Sequence, residues 1–416
     1  MGGDWVGGGR AATADAAVEF ITRLGCALLD AGAPTSTVGP GMQRLAHRFD
    51  LDCEITVLPN GVLAVNSGTG RSSLVTASRE TLRFDQTERL FAVLRAGGTG
   101  RISAEAGLRE LRRIVQIPPP VRTPWRFGGY CLMAVGLCLR QNPGLVEFIA
   151  TLALSIPVAA LLIAMPRLGG LKALMPAVMA FAVGAAVAVL VEHDQLVQPA
   201  QVVLPLLAMV LPGTLLAVGS LDILRGALQA GAARLVGGVH QLLALALGLV
   251  ASQAAFALTT PIEQPAEMTR VGAWSPVVGL AVYVLGTCLA FCAPVSAWPA
   301  LTIVVYVGWG IQLLTDGLAG PYASTFLAAA VAIVVATGIY PRFGPPPLLT
   351  LNPLFRILGI GGLSLLQVTS LTVGNFIGAE VGSAAFTLIS VALGLAAGMA
   401  VTERMRSRAD NSSAVL

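Results

Sequence analysis

The chain has 416 residues, 55% of them hydrophobic and only 12% charged, and carries a formal net charge of +4. Soluble globular chains run at roughly 25% charged residues, and half that density cannot solvate a water-soluble surface of this size. With a mean hydropathy of +0.77, the composition excludes an ordinary cytosolic enzyme, a disordered chain and a nucleic-acid binder. It predicts an α-helical polytopic membrane protein.

Charge is unevenly placed. Residues 1–125 carry a normal mixture, as in Arg109-Glu110-Leu111-Arg112-Arg113, whereas from about Tyr130 to Val401 charges stand singly. That shift predicts a small N-terminal domain in water followed by a membrane domain. Met1 to Arg10 is Gly-rich without an apolar signal core, so the N-terminus is expected to stay in the cytoplasm. Six cysteines form no CxxC pair and four fall in apolar runs, so no metal site, disulfide framework or cofactor is expected.

In chain order, apolar residues at helical spacing predict a helix from Ala14 to Leu29, stopped at Gly32. Pro34-Thr35-Ser36 opens a second helix through about Arg48. Glu54 to Leu58 and Val62 to Val65 read as strands around a turn at Pro59-Asn60-Gly61, with a third strand near Leu74 to Ala77. Helices are expected at about 85–96 and 103–115, and Pro118-Pro119-Pro120 breaks the chain before the membrane. The expectation is thus a cytoplasmic α/β domain over 1–125.

About 20 apolar residues cross the hydrocarbon core. Segmenting at polar and Pro/Gly punctuation gives ten spans, at about 126–141, 144–165, 172–191, 200–220, 234–258, 274–293, 297–315, 321–340, 347–372 and 380–402. Five fall in a first half, 126–260, and five in a second, 270–403, leaving a tail over 404–416. Arg and Lys gather before span one, between spans two and three, four and five, eight and nine, and after span ten. That bias puts both termini in the cytoplasm.

The two halves compare at an offset of 146 residues: Leu243–Leu249 matches Ile389–Leu395 in character, and Gly213 falls on Gly359. A duplicated unit with an odd number of spans must sit upside down relative to its copy, a 5+5 inverted repeat of the kind secondary transporters use. Such proteins bind solutes where helices are interrupted. Candidates here are Leu211-Pro212-Gly213 in span four, and Asn352-Pro353 followed by Gly359-Ile360-Gly361-Gly362 in span nine. Freed peptide groups at bilayer depth need a polar partner, and a zwitterionic amino acid offers both charges. Simple kinks between packed helices account for the same residues.

Leu28-Leu29-Asp30-Ala31-Gly32-Ala33-Pro34-Thr35, followed by Glu54 to Gly61, resembles the N-terminal domain of the threonine/serine exporter family. So does Val210-Leu211-Pro212-Gly213, with Gly219-Ser220-Leu221-Asp222-Ile223-Leu224-Arg225-Gly226 and Gly231-Ala232-Ala233-Arg234-Leu235. The C-terminal half, through Leu351 to Arg356, is similar to that family's second module, although Gly359-Ile360-Gly361 and Arg356 depart from its usual Pro-Gly and aromatic residues. The resemblance implies a non-enzymatic exporter of L-threonine and L-serine in a bacterial inner membrane, driven by the proton-motive force. Dicarboxylate export by split relatives keeps an organic anion open as cargo. A gated channel or sensor is the second alternative, and oligomeric state, a homo-oligomer included, is left open.

Polar residues in the membrane region complete the candidates. Arg356 falls near mid-span, where a cation costs roughly 2.5–3.5 kcal/mol on insertion scales. A substrate carboxylate would satisfy its guanidinium; a later span start would let it snorkel instead. The substrate set is therefore Pro212, Gly213, Asn352, Arg356 and Gly359. Asp222 and Arg225, three apart on one helical face, are the candidate proton-coupling pair or an interfacial ion pair, with His240 as a possible relay or a carbonyl-bonded core residue. Asp316, Glu380 and Asn375 read as loop or interfacial groups, and Gly394-x-x-x-Gly398 as a close-packing motif. In the soluble domain, Gly68-Thr69-Gly70-Arg71 lacks a phosphate-loop pattern. His47, near Asp50 and Asp52, has no accompanying nucleophile.

Overall fold

A computed structural model describes residues 5–66, 72–78, 82–193, 196, 198–256, 270–343, 346–362 and 378–413. The chain forms two compact units. One comprises Met1–Pro120 with Val218–Leu235, the other Val121–Ala217 with Val236–Leu416.

In the first unit, helices α1 (Trp5–Asp30) and α2 (Thr35–Arg48) precede strands β1 (Cys53–Leu58), β2 (Gly61–Asn66) and β3 (Ser72–Thr76), followed by α3 (Phe84–Gly98) and α4 (Ala104–Gln116). Gly32 takes φ 83°, the left-handed turn that stops α1. The strands form an antiparallel meander in the order β1-β2-β3, with Leu58 paired to Gly61 across Pro59-Asn60. A Cβ on Gly61 would lie 2.7 Å from the Val75 carbonyl oxygen, which is why glycine opens β2. Helices cover one face of the sheet: α1 packs on β2 and β3, α2 on β1, and α4 on α1. Phe20, Leu24, Met42, Leu45, Val62, Leu90 and Ile114 are fully buried between them, whereas β3 alternates exposed and half-buried residues.

The second unit is helical. It contains α5 (Thr123–Arg140), α6 (Leu145–Ala164), α7 (Met175–Glu192), α8 (Ala200–Leu207), α11 (Ser275–Ala290), α12 (Trp298–Phe343), α13 (Leu348–Gly362) and α14 (Gly378–Ser413). Helices α9 (Gly213–Leu224) and α10 (Leu228–Phe256) have residues in both units. Among the described residues, four helical stretches are long and apolar enough to cross a membrane: Leu145–Ala173, Met175–Glu192, Leu228–Phe256 and Val295–Tyr340. The pair Ala200–Val210 and Gly213–Leu224, bent by 60°, makes a fifth. The chain is a multi-pass membrane protein. At 46 residues α12 would run roughly 70 Å, over twice a hydrocarbon core. It is interrupted at Gly320 (φ 76°, ψ 170°), which divides it between the seventh and eighth expected spans. The ninth expected span is described only as far as Gly362, and Asn375 lies outside the described residues.

Small residues recur at matched positions in the helical unit. Gly129 and Gly136 of α5 recur 150 residues later as Gly279 and Gly286 of α11. Their contacts cross over. A Cβ on Gly129 would lie 2.9 Å from the Gly286 oxygen, and one on Gly279 would lie 2.7 Å from the Gly136 oxygen. Two antiparallel helices are thereby pressed backbone to backbone. Each then ends on a non-glycine residue with positive φ, Asn142 (49°) and Cys292 (55°), again 150 apart. Gly169 (φ 52°), after α6, and Gly320 (φ 76°) also have positive φ. Gly248 of α10 packs on Ala177 and Ala180 of α7, as Gly394 of α14 packs on Phe326 and Ala329 of α12. Gly398, the second half of the close-packing motif, meets Ala330 and Ile333 of α12.

Candidate functional site

The interruption after α8 is real. A 3-10 turn over Ala208–Val210 follows it, and Leu211 is extended at φ −62°, ψ 134° before α9 begins at Gly213. Pro212 cannot donate a hydrogen bond and both it and Gly213 are buried. Two carbonyls freed by the break are claimed by side chains. Arg356 Nη2 donates to the Met209 oxygen at 3.0 Å, and Gln241 Nε2 of α10 donates to the Val210 oxygen at 2.6 Å. A cation at the C-terminal end of a helical segment also meets the negative end of its dipole.

Arg356 is only 4% exposed. Its guanidinium lies 5.3 Å from the centroid of the Phe291 ring. Tyr283 donates to the Pro353 oxygen at 3.1 Å, and Tyr130 packs edge-on to Phe291 at 6.0 Å. Nε and Nη1 of Arg356 and Oδ1 of Asn352 are buried with no hydrogen-bond partner. A buried guanidinium with idle donors is costly unless something anionic completes it.

Pro212, Gly213 and Arg356 of the expected substrate residues therefore gather here. Gly213 admits the Phe355 ring, which a Cβ would approach to 2.5 Å, so Pro212-Gly213 packs directly against the turn carrying Arg356. Gly359 is buried one turn further along α13. The helix α13 runs unbroken from Leu348 to Gly362 with Pro353 inside, so Asn352-Pro353 does not interrupt it.

The proton-coupling candidates separate. Asp222, in the first unit, is fully buried and receives Arg234 Nη1 at 2.6 Å, rather than being held by Arg225 alone. It also accepts from the Thr35 and Ser36 amides at 3.4 and 3.2 Å and from Ser36 Oγ at 3.0 Å. Asp222 thus caps the first turn of α2 from 187 residues away. Arg234 Nη2 reaches the Ala33 oxygen at 2.8 Å, and Arg225 donates to Thr37 Oγ1 at 3.0 Å. Asp222 and Arg234 thus form a buried ion pair. His240 lies exposed on α10, whereas its neighbour Gln241 makes the contact to the break. Asp316 is exposed and receives Ser324 Oγ at 3.2 Å across the Gly320 turn. Among the described residues no group of three or more His, Cys, Asp or Glu could hold a metal.

Sequence reasoning missed Arg234, Gln241 and Phe291. Each pairs with a residue far along the chain, and no local spacing announces it.

Comparison with known families gives one result. The model of the threonine/serine exporter family, ThrE, matches residues 19–256, from α1 through the end of α10. Curated proteins and solved structures give no match.

Proposed function

The chain belongs to the threonine/serine exporter family, and from that premise we propose that it exports small polar amino acids, L-threonine and L-serine, by proton-driven alternating access. The observation that carries this reading is Arg356: a buried guanidinium with idle donors, set against the break between α8 and α9. In this proposal the substrate carboxylate takes the free edge of Arg356 in bidentate geometry. The first-turn amides of α9 add the positive end of a helix dipole. The substrate ammonium faces the carbonyl side of the break and the Asn352 oxygen. Arg356 is sealed in the state described, so loading requires the halves to rock.

The crossed glycine contacts of α5 and α11, the matched left-handed residues and the positive φ of Gly169 and Gly320 support two five-helix halves inverted about an axis in the membrane plane. Ten crossings, with basic loops and both termini in the cytoplasm of a bacterial inner membrane, follow from that arrangement.

The direct test is efflux of labelled threonine from proteoliposomes with and without an imposed pH gradient. Gradient-stimulated efflux is expected; efflux indifferent to the gradient refutes proton driving. A dicarboxylate is the second reading, because Arg356 recognises carboxylates in general, and a competition screen against threonine separates the two.

A further inference from the structure

The membrane unit buries a carboxylate that the site around Arg356 does not use. Glu147 sits in the first turn of α6 and is 1% exposed. Its Oε1 accepts the backbone N–H of Gln198 at 3.0 Å. One turn along α6, Thr151 Oγ1 donates to Cys138 Sγ of α5 at 3.3 Å, so the two helices meet here through polar groups. Gln198 and Gln201, before and within α8, each keep a buried amide oxygen with no donor. Carboxylate and amide oxygens accept only, and a protonated carboxyl is the donor such a cluster lacks.

The main elements packed against α6 are α5, α8 and the 3-10 stretch that follows it. Helix α5 contributes Cys138 and, at its end, Arg140, whose Nε is buried without a partner. Helix α8 carries no titratable residue. The 3-10 stretch after α6 contributes Arg167 and Lys172, but at the opposite end of α6, about 30 Å away at 1.5 Å per residue.

The repeat supplies an internal control. In the register that aligns Asn142 with Cys292, Glu147 aligns with Ala297, which is fully buried. The same corner therefore folds in the other half around a methyl group, and packing does not call for a carboxylate. Arg356 is singular in the same way: on the register of Gly213 and Gly359 its counterpart is Val210. Glu147 and Arg356 are thus both buried charges set opposite an apolar side chain of the other half. An ionisable group kept inside a membrane helix against its desolvation cost marks a functional position.

We propose that Glu147 is the carboxylate that carries the coupling proton, an inference that rests on the exporter reading above. A proton adds to the carboxylate from water on the outer side and leaves to water on the cytoplasmic side; no other bond changes. Protonation removes the buried charge and supplies a donor to the neighbouring amide oxygens, which biases the corner of α5, α6 and α8 between two arrangements.

The test uses full-length protein in vesicles loaded with labelled threonine. Glu147→Gln and Glu147→Ala, the latter copying the other half, are expected to retain threonine counterflow at symmetric pH and to lose stimulation by a pH gradient, the ratio falling to one. Glu147→Asp keeps a titratable group and is expected to keep gradient stimulation. Wild-type stimulation in the Gln and Ala variants overturns the assignment while leaving the exporter reading intact. Loss of counterflow in both also overturns it, in favour of a structural role. A wild-type protein without a gradient response sinks the proton-driven reading and this assignment together.

Discussion

Replacing Arg356 by Met separates binding from folding, because the two effects are expected to have opposite signs. The guanidinium donates through Nη2 to the Met209 oxygen and lies over the Phe291 ring, while Nε and Nη1 are buried without a hydrogen-bond partner. Losing the charged hydrogen bond costs about 1.5–3 kcal/mol, and losing the cation–π contact about 0.5–2 kcal/mol. Against this stands the desolvation of a buried ion, several kcal/mol even after relaxation, which Met does not incur. Unfolding should therefore be unchanged or harder by about 1–4 kcal/mol. A substrate carboxylate that loses two charge-assisted bonds forfeits about 3 kcal/mol or more, roughly a hundredfold in affinity. The assay pairs thermal unfolding in detergent with threonine counterflow across a concentration series. Refutation is a variant that unfolds markedly earlier, or one that transports with unchanged apparent affinity.

Asp222→Ala leaves Arg234 buried without its carboxylate and the first turn of α2 uncapped. It should lower stability by about 3–5 kcal/mol, seen in thermal unfolding of the full chain, with a smaller loss when Arg234→Ala is added. Gly286→Val forces a side chain against the Gly129 oxygen and Met133 nitrogen, 2.7 and 2.6 Å from a Cβ. It should abolish folded protein on gel filtration, whereas Gly310→Ala, with open space at its Cβ, should be tolerated. Burial raises the Cys26 thiol from 9.0 to about 11. The folded state favours the neutral thiol, so this contribution to stability holds below about pH 9 and is lost as pH climbs through 11. Alkylation of Cys26 in the native chain should be slow at pH 8 and quicken only on denaturation.

The N-terminal unit was legible because its boundaries are written in local chemistry. Pro34 starts α2, Gly32 ends α1, and Pro59-Asn60-Gly61 turns the hairpin, each through a backbone preference that needs no neighbour. The Asp222 partnership was not legible. An Asp and Arg three apart on a helix are the natural pair in one dimension, yet the fold brings Arg234 and the α2 amides to the carboxylate. Arg356 was visible from its cost at mid-span, but nothing local foretold Met209 or Phe291 as its neighbours. The offset of 146 pairs Gly213 with Gly359 and Gly248 with Gly394, whereas the matched glycines of α5 and α11 stand 150 apart, and a drifting offset blurs a linear comparison. Nothing in the sequence around Glu147 singles it out. Set beside Ala297, it is the exception in an otherwise copied corner.

The meeting of α5 with α11 has a mechanical corollary. Glycines at two levels let the main chains touch, and sliding one helix along the other would bring larger neighbouring side chains against these carbonyls. Shear along this line is locked out, and the two helices are left with rotation about their crossing as the compliant direction. For the proposed exporter, this contact is the pivot on which its two halves would swing, like the arms of a balance.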